Sequence, residues 1–402
     1  MYTLFREIRS LPSINKRLLL NTLCVSSATF MVNPYLIAYL PTIADISPGQ
    51  AAVSASIGVA AGSVMALVMS MISVLGDKRL GSTCGFGLAG CYLLLAYASR
   101  IPDSLFLAGI TLLFVAQRFF LNTFTICTRN IQASSTEEHE QRNIFRLISL
   151  TLSLGMSLGP QVGAYILSKS GFQAVFLAST LIILLCSVNF RFLPAYETKG
   201  SAQDDQNHVQ SLEAPAIIGC ATAIVSYTLY AQVFSYIPLS IKERAGHDGL
   251  ATLQDFYLVY SLARIGCAVW VHPIITRAIS SLAIISLMGV SICTLSLLML
   301  SNSYGPLLLI MLAASFAFGE SLFSSMAIPW ITSLIKNPHS TRRHIGLFTF
   351  CSTALGIGSG QFVGAWVFQQ KSTQTAVITW ISTFCLYLYL LILTKRKSNF
   401  LL

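Results

Sequence analysis

GMSLGPQVGA at residues 155–164 and GIGSGQFVGA at residues 356–365 are the two stretches that decide the fold. They lie 201 residues apart in a chain of 402, each inside a long apolar run. Each places three glycines at i, i+4 and i+8, on one helix face that a second helix can approach closely. These glycines are Gly155, Gly159, Gly163, Gly356, Gly360 and Gly364. An apolar chain that repeats at half its length predicts two related bundles of helices.

Composition places these helices in lipid. The chain is 54% hydrophobic and only 10% charged, with a mean hydropathy of +0.69, whereas soluble domains carry about 25% charged residues. Twelve apolar runs, each long enough to span a bilayer, are numbered spans 1 to 12. They lie near residues 18–40, 51–75, 82–99, 104–127, 143–167, 172–193, 214–240, 254–275, 281–300, 305–332, 344–368 and 374–394. We therefore predict an all-α membrane protein with 12 transmembrane helices in two pseudo-symmetric six-helix bundles, residues 1–193 and 214–402, joined by a polar cytoplasmic linker at 194–213.

The distribution of basic residues predicts the orientation. The net charge is +10, and 18 of the 25 lysines and arginines fall on the side of both termini, with five on the other side and two inside spans. This excess is what the positive-inside rule expects of cytoplasmic termini in the cytoplasmic (inner) membrane, and it argues against a nucleic-acid partner. None of the ten cysteines forms C-x-x-C, so neither a metal site nor a disulfide is predicted. We expect no cofactor.

Three charged residues inside spans are candidate site residues, because burying charge in hydrocarbon is costly. They are Arg118, Arg264 and Glu320. An apolar cavity disfavours the charged form of a carboxyl group, so Glu320 is predicted to carry a proton, with Arg118 or Arg264 favouring its release. Asp77 and Asp255 are reserve acids. A structural ion pair of Arg264 with Glu320 is the alternative.

Polar and aromatic faces complete the predicted substrate site. Arg118, Asn122 and Thr125 share one helix face, and Asn33 and Tyr35 lie late in span 1. Aromatic residues of span 7 and on the face of Glu320 are added to these; they are Tyr227, Tyr230, Phe316 and Phe323. Two arginines against one glutamate favour an anionic or zwitterionic solute, since a guanidinium binds carboxylates bidentately. The aromatic faces suit a flat amphipathic drug equally well.

The first glycine stretch carries a family resemblance. GMSLGPQVGA resembles the g-x-x-x-G-P-x-x-G-G motif in span 5 of the major facilitator superfamily, typical of its drug–proton antiporter branch. Pro160 can kink the helix, and we interpret the glycine stripes as a moving helix interface rather than static packing. The resemblance implies a cavity lined by spans 1, 4, 7 and 10. Arg118 resembles the span 4 arginine of R-x-x-x-G, with Asn122 in place of the glycine.

A second resemblance is partial. SVLGDKRLG at residues 73–81 is similar to the family motif G-x-x-x-D-R-x-G-R, with Ser73 in place of the first glycine and Gly81 one position late. The resemblance implies that Asp77 contacts the start of span 11 and stabilises the outward-facing state. A carboxylate is also stabilised at a helix N-terminus. Its expected partner is Arg129, Arg142 or Arg343.

These patterns predict a secondary active transporter and not an enzyme, since H-E-x-x-H and Walker A sequences are missing. We predict that a monomer exports a small organic solute in exchange for protons by alternating access. The solute is an anionic or amphipathic metabolite such as a siderophore, or a drug. A proton-coupled importer or facilitator, for example for siderophore uptake, is the alternative. A membrane receptor without transport or an intramembrane enzyme is the least favoured. The N-terminal half is expected to carry the conformational latch, and the C-terminal half the proton site.

Overall fold

The computed structural model describes residues 9, 11–40, 46–72, 76–134, 141–194, 214–271, 274–275, 278–279, 281–302, 305–333 and 347–399. Within these ranges, every regular element is a helix. The predicted linker beyond residue 194, and also Ser73 and Arg343, lie outside the described residues. The side chain of Arg142 lies outside them as well.

Twelve α-helices follow one another along the described chain. They are α1 Ser13–Tyr39, α2 Pro48–Ile72, α3 Asp77–Ala96, α4 Asp103–Ser134, α5 Gln141–Arg191, α6 Ala214–Tyr230, α7 Tyr236–Ala245, α8 Gly249–Gly266, α9 Leu282–Asn302, α10 Pro306–Ser333, α11 Gly358–Gln369 and α12 Thr373–Asn399. Two wider π-helical segments, Cys267–Val271 after α8 and Cys351–Ile357 before α11, interrupt the regular hydrogen bonding.

Helix α5 consists of two helices joined at Gly171. This glycine has a φ of 77°, a left-handed conformation that a residue without Cβ adopts readily. The break separates segments 141–170 and 172–191, which correspond to the predicted spans 5 and 6.

Among the described residues, seven helical stretches are long and apolar enough to cross a bilayer. They are Gly49–Met69, Ser104–Gln132, Leu150–Arg191, Ile217–Ala245, Leu282–Asn302, Pro306–Ser324 and Thr373–Thr394. Each of the twelve predicted apolar runs overlaps a described helix, but the helices outside these seven stretches are shorter or carry more polar residues. The chain is therefore a multi-pass, all-helical membrane protein.

Packing divides mainly along the predicted repeat. In the first half, α1 packs on α5, α2 on α4, and α3 on both α4 and α5. In the second half, α8 packs on α10, α9 on α10 and α12, and α6 on α12 and on the π-helical segment Cys351–Ile357. One large apolar cluster lies chiefly in residues before 194, and another chiefly in residues after 224.

Two seams join the halves. Helix α5 packs on α8, and α2 packs on α11 and on the preceding π-helical segment. The repeat relates the two seams to each other, because α2 corresponds to α8 and α5 to α11. The residues of interest for function lie along these two seams.

Candidate functional site

A buried ion pair lies beside the α5–α8 seam. Arg264 Nη1 and Glu320 Oε2 are 2.6 Å apart, and the two residues are only 5% and 2% exposed. The hydroxyl of Tyr260 donates to Glu320 Oε2 at 3.1 Å and accepts from Arg264 Nη1 at 3.3 Å. Tyr260 and Arg264 are four residues apart on α8, so both side chains reach the same carboxylate of α10. The contact between Arg264 and Glu320 that the alternative expected is therefore present.

Arg264 also reaches the other half of the molecule. Its Nε donates to Ser153 Oγ on α5 at 3.1 Å. Further along the seam, Ser157 Oγ lies 3.2 Å from the backbone oxygen of Ser261. One guanidinium therefore connects an acid of its own half to a hydroxyl of the opposite half. We call Ser153, Tyr260, Arg264 and Glu320 the charged node.

A neutral cluster lies at the other seam. Asn122 Nδ2 on α4 donates to Ser63 Oγ on α2 at 2.7 Å, and Thr353 Oγ1 of the second half lies 3.5 Å from the same oxygen. Ser63 precedes Arg264 by the repeat distance of 201 residues. We call Ser63, Asn122 and Thr353 the neutral node. A small cleft beside it is lined by Ser63, Ala66, Leu67, Asn122, Ile126, Thr349, Phe350 and Thr353.

Helix α4 presents two arginines near this cleft. Arg118 lies against α2, where a Cβ added at Gly62 would be 2.7 Å from the Cβ of Arg118. Its guanidinium interacts electrostatically with the phenols of Tyr92 and Tyr230. Arg129 Nη1 donates to Thr349 Oγ1 of the second half at 3.3 Å. Neither arginine forms an ion pair with any residue that the structure describes.

Aromatic rings at the end of α6 and in the turn that follows it contact one another in a row, which we call the aromatic file. The ring centroids of Tyr227 and Tyr230 are 5.8 Å apart, and those of Tyr230 and Phe234 are 5.3 Å apart. Tyr227 also contacts Phe323 of α10 at 5.9 Å. The hydroxyl of Tyr230 lies 3.7 Å from Met156 Sδ on α5, so the file crosses into the first half close to the charged node.

The predicted residues of span 1 and Phe316 are buried in packing contacts. The hydroxyl of Tyr35 donates to the backbone oxygen of Pro160 at 2.9 Å, and its ring meets Tyr257 of the second half edge-on at 6.0 Å. Phe316 is fully buried in the second apolar cluster. Asn33 is 8% exposed, and its Oδ1 has no hydrogen-bond partner in the described part of the chain.

The six glycines of the repeat pack in the same register in both halves. A Cβ at Gly159 would lie 2.5 Å from the backbone oxygen of Ser27, and one at Gly360 would lie 2.6 Å from the backbone oxygen of Thr228. Ser27 and Thr228 are themselves 201 residues apart. Gly155 and Gly163 face α1, while Gly356 and Gly364 face α6 and the residues that follow it. Each stripe thus packs on a helix of its own half, and the polar face of α5 meets the other half.

The acid of the second motif lies at the start of α3. Asp77 Oδ1 accepts a hydrogen bond from Asn130 Nδ2 of α4 at 3.3 Å. Arg129, one of its three expected partners, instead donates to Thr349. The carboxylate occupies the first helical turn, where the partial positive charge of the helix terminus favours it.

The family profile of the Major Facilitator Superfamily matches residues 18–361. The chain belongs to the major facilitator superfamily. Because members of this superfamily transport solutes, we conclude that the chain is a transporter rather than an enzyme. Its membership of the drug–proton antiporter branch stays a prediction.

Solved structures of superfamily transporters share this fold. The human organic anion transporter MFSD10 (TETRAN) superposes with a TM-score of 0.67 at 14% identity, over 95% of this chain and 100% of its own. The nucleoside transporter NupG gives a TM-score of 0.67 at 12% identity, over 96% of this chain and 100% of its own. No curated protein sequence matches the chain significantly.

The structure adds site residues to this superfamily member that sequence reasoning missed. Tyr260 had a local signal, since it precedes Arg264 by one helical turn. Ser63 also had one, because it occupies the repeat position of Arg264. Ser153 and Thr353 had none, since both act across a seam between halves that are distant in sequence.

Proposed function

We propose that the protein is a proton-coupled secondary transporter that exports a small organic anion, or an anionic amphipath, across the cytoplasmic membrane. Twelve membrane-spanning helices form six-helix bundles at residues 1–193 and 214–402, with a linker at 194–213 and both termini in the cytoplasm. A single chain is the working unit, because each half supplies one side of both seams. The charged node is the observation that carries this proposal.

Coupling follows from the connections of Arg264. When Glu320 is ionised, its charge neutralises Arg264, and the guanidinium is held in place to donate to Ser153 across the seam. When Glu320 takes a proton, the attraction that holds Arg264 is lost. An uncompensated guanidinium in an apolar core is costly, so protonation favours a conformation in which Arg264 finds another anion or water. The proton state of one acid thereby biases the contact between the two halves.

The charge of the site supports an anionic solute. Arg118 and Arg129 have no acidic partner among the described residues, while Glu320 is already engaged by Arg264. An incoming carboxylate, sulfonate or phosphate would supply the missing negative charge through the planar guanidinium. The aromatic file of Tyr227, Tyr230 and Phe234 offers an apolar wall for the remainder of the solute.

Uptake into everted membrane vesicles tests this function. Benzoate and benzylamine are matched probes, since they share a ring and differ in charge. They are the first pair of a wider panel of organic anions and cations. We expect anions of the panel to accumulate in vesicles whose interior is more acidic than the medium. Arg118→Ala should reduce the initial rate of this anion uptake at least tenfold. Accumulation in right-side-out vesicles alone would indicate an importer. Loss of cation transport in Arg118→Ala, with anion transport intact, would contradict the anionic solute.

A further inference from the structure

Helix α4 carries, at two separate levels, an arginine that pairs with no acidic residue in the described part of the chain. Arg118, Asn122, Thr125 and Arg129 follow the spacing i, i+4, i+7 and i+11, which keeps all four on one helix face. With a rise of 1.5 Å per residue, the two arginines are about 16 Å apart along the helix. A small organic anion is too short to neutralise both at once. The two guanidiniums therefore require separate counter-anions.

The surroundings of Arg129 are those of a binding cleft. Thr349, which accepts its hydrogen bond at 3.3 Å, also lines the small cleft of the neutral node. The cleft combines the hydroxyls of Ser63, Thr349 and Thr353 with the amide of Asn122, and its remaining walls are apolar. No carboxylate that the structure describes pairs with Arg129. A guanidinium, several hydroxyls and apolar side chains are the groups that the head and the body of an amphipathic monoanion would contact. The cleft has a volume of only about 10 Å³ in this conformation, so a solute enters it when the two halves separate.

The cleft also has a place in the transport path. It lies between α2 and α4 of the first half and residues 349–353 of the second, so it changes shape whenever the halves move. Arg129 is eleven residues closer than Arg118 to the end of α4 that leads into the predicted cytoplasmic loop. A solute that arrives from this side meets Arg129 before Arg118.

We propose that Arg129, Thr349, Thr353 and Asn122 form a loading site that captures the anionic head of the solute before it moves to Arg118. The loading site rests on the proposed transport of an organic anion. It explains why α4 retains a second, partly buried guanidinium that has no acidic partner among the described residues. It also makes Thr349 and Thr353, which lie in the opposite half, determinants of solute selection.

The competing explanation is that Arg129 only fastens α4 to Thr349. A fastening role depends on the hydrogen bond and not on the charge, because Arg129→Gln keeps a donor at that position. A loading site depends on the charge, which Arg129→Lys keeps. Comparing these two substitutions separates the explanations.

The test uses two thiol reagents of opposite charge, the anionic sulfonatoethyl methanethiosulfonate and the cationic trimethylammonioethyl methanethiosulfonate. Thr353→Cys is placed in the full chain, reconstituted in proteoliposomes, and the labelling of the unsubstituted protein is subtracted. The measured quantity is the rate of labelling by the anionic reagent divided by the rate of labelling by the cationic reagent. This ratio is then divided by the same ratio measured for glutathione in solution. We expect the ratio to exceed the solution value about tenfold, since clefts of one charge concentrate opposite ions.

Added substitutions give the decisive comparisons. Arg129→Gln should return the ratio to the solution value, whereas Arg129→Lys should keep most of the excess. Arg118→Gln should lower the ratio less than Arg129→Gln does, because it is Arg129 that contacts Thr349 in the wall of the cleft. A ratio that Arg129→Gln leaves unchanged, or a Thr353→Cys protein that neither reagent labels, would overturn the loading site. If the unsubstituted protein transports no anion of the panel while Arg129→Gln still lowers the ratio, the proposed function fails and the anion site at Arg129 stands.

Discussion

The charged node and the neutral node occupy corresponding places in the two halves, yet only one of them can exchange a proton. Ser63 stands where Arg264 stands 201 residues later, and each contacts a helix of its own half and a helix of the opposite half. Each node also lies in or beside a π-helical segment, a feature that often marks functional sites. The comparison indicates that a common scaffold provides both seams, and we assign the proposed proton coupling to the α5–α8 seam alone.

The largest expected effect comes from breaking the ion pair of the charged node. Arg264→Gln leaves Glu320 buried without its partner, which typically costs about 3–5 kcal/mol. The double variant Arg264→Gln/Glu320→Gln removes both charges and should recover most of this loss. The midpoint temperature of unfolding in detergent measures the difference. Equal midpoints for the single and double variants would show that the pair is not a unit.

A smaller effect is expected at the glycine stripes, which should respond alike in the two halves. Gly159→Ala and Gly360→Ala each place a methyl group too close to the backbone oxygen of the facing segment, and overpacking of this kind costs about 1–3 kcal/mol. Gly90→Ala is the matched control, because nothing lies within 4 Å of a Cβ at that helical position. Unfolding midpoints should fall for the first two variants and stay level or rise for Gly90→Ala.

If only Gly159→Ala impairs transport while both variants lose stability, the stripe of α5 has a conformational role that the stripe of α11 lacks. That result would support the moving interface inferred from the antiporter motif. Transport that falls in both variants only in proportion to the loss of folded protein would instead assign both stripes to static packing.

The third comparison concerns the hydroxyls that contact the two nodes, and its measured quantity is the pH dependence of transport. Ser153→Ala removes a hydrogen bond from a charged donor, worth about 1.5–3 kcal/mol, whereas Ser63→Ala removes one between neutral groups, worth about 1 kcal/mol. We expect Ser153→Ala to shift the pH at which transport is half-maximal and Ser63→Ala to leave it unchanged. A matching shift in both variants would remove the distinction between the nodes.

Sequence alone predicted the parts of this arrangement that depend on local spacing. The register of the glycine stripes follows from their equal offsets, and the buried charges stood out because hydrocarbon tolerates so few. The partner of Arg264 was predicted only as an alternative, since helix periodicity does not determine which helices become neighbours. Ser153, Thr353 and the Arg129–Thr349 contact depend on packing between the halves, and a repeat pattern does not specify how its two copies meet.

The most direct test of the central claim compares gradient-driven accumulation with solute exchange at equilibrium for Glu320→Gln in proteoliposomes. The solute is benzoate, or whichever anion of the panel the unsubstituted protein transports. If Glu320 carries the coupled proton, the variant should no longer accumulate this solute under a proton gradient. It should still exchange labelled for unlabelled solute. Asn122→Ser, at the neutral node, should keep its response to the gradient. Accumulation by Glu320→Gln at the rate of the unsubstituted protein would contradict the account.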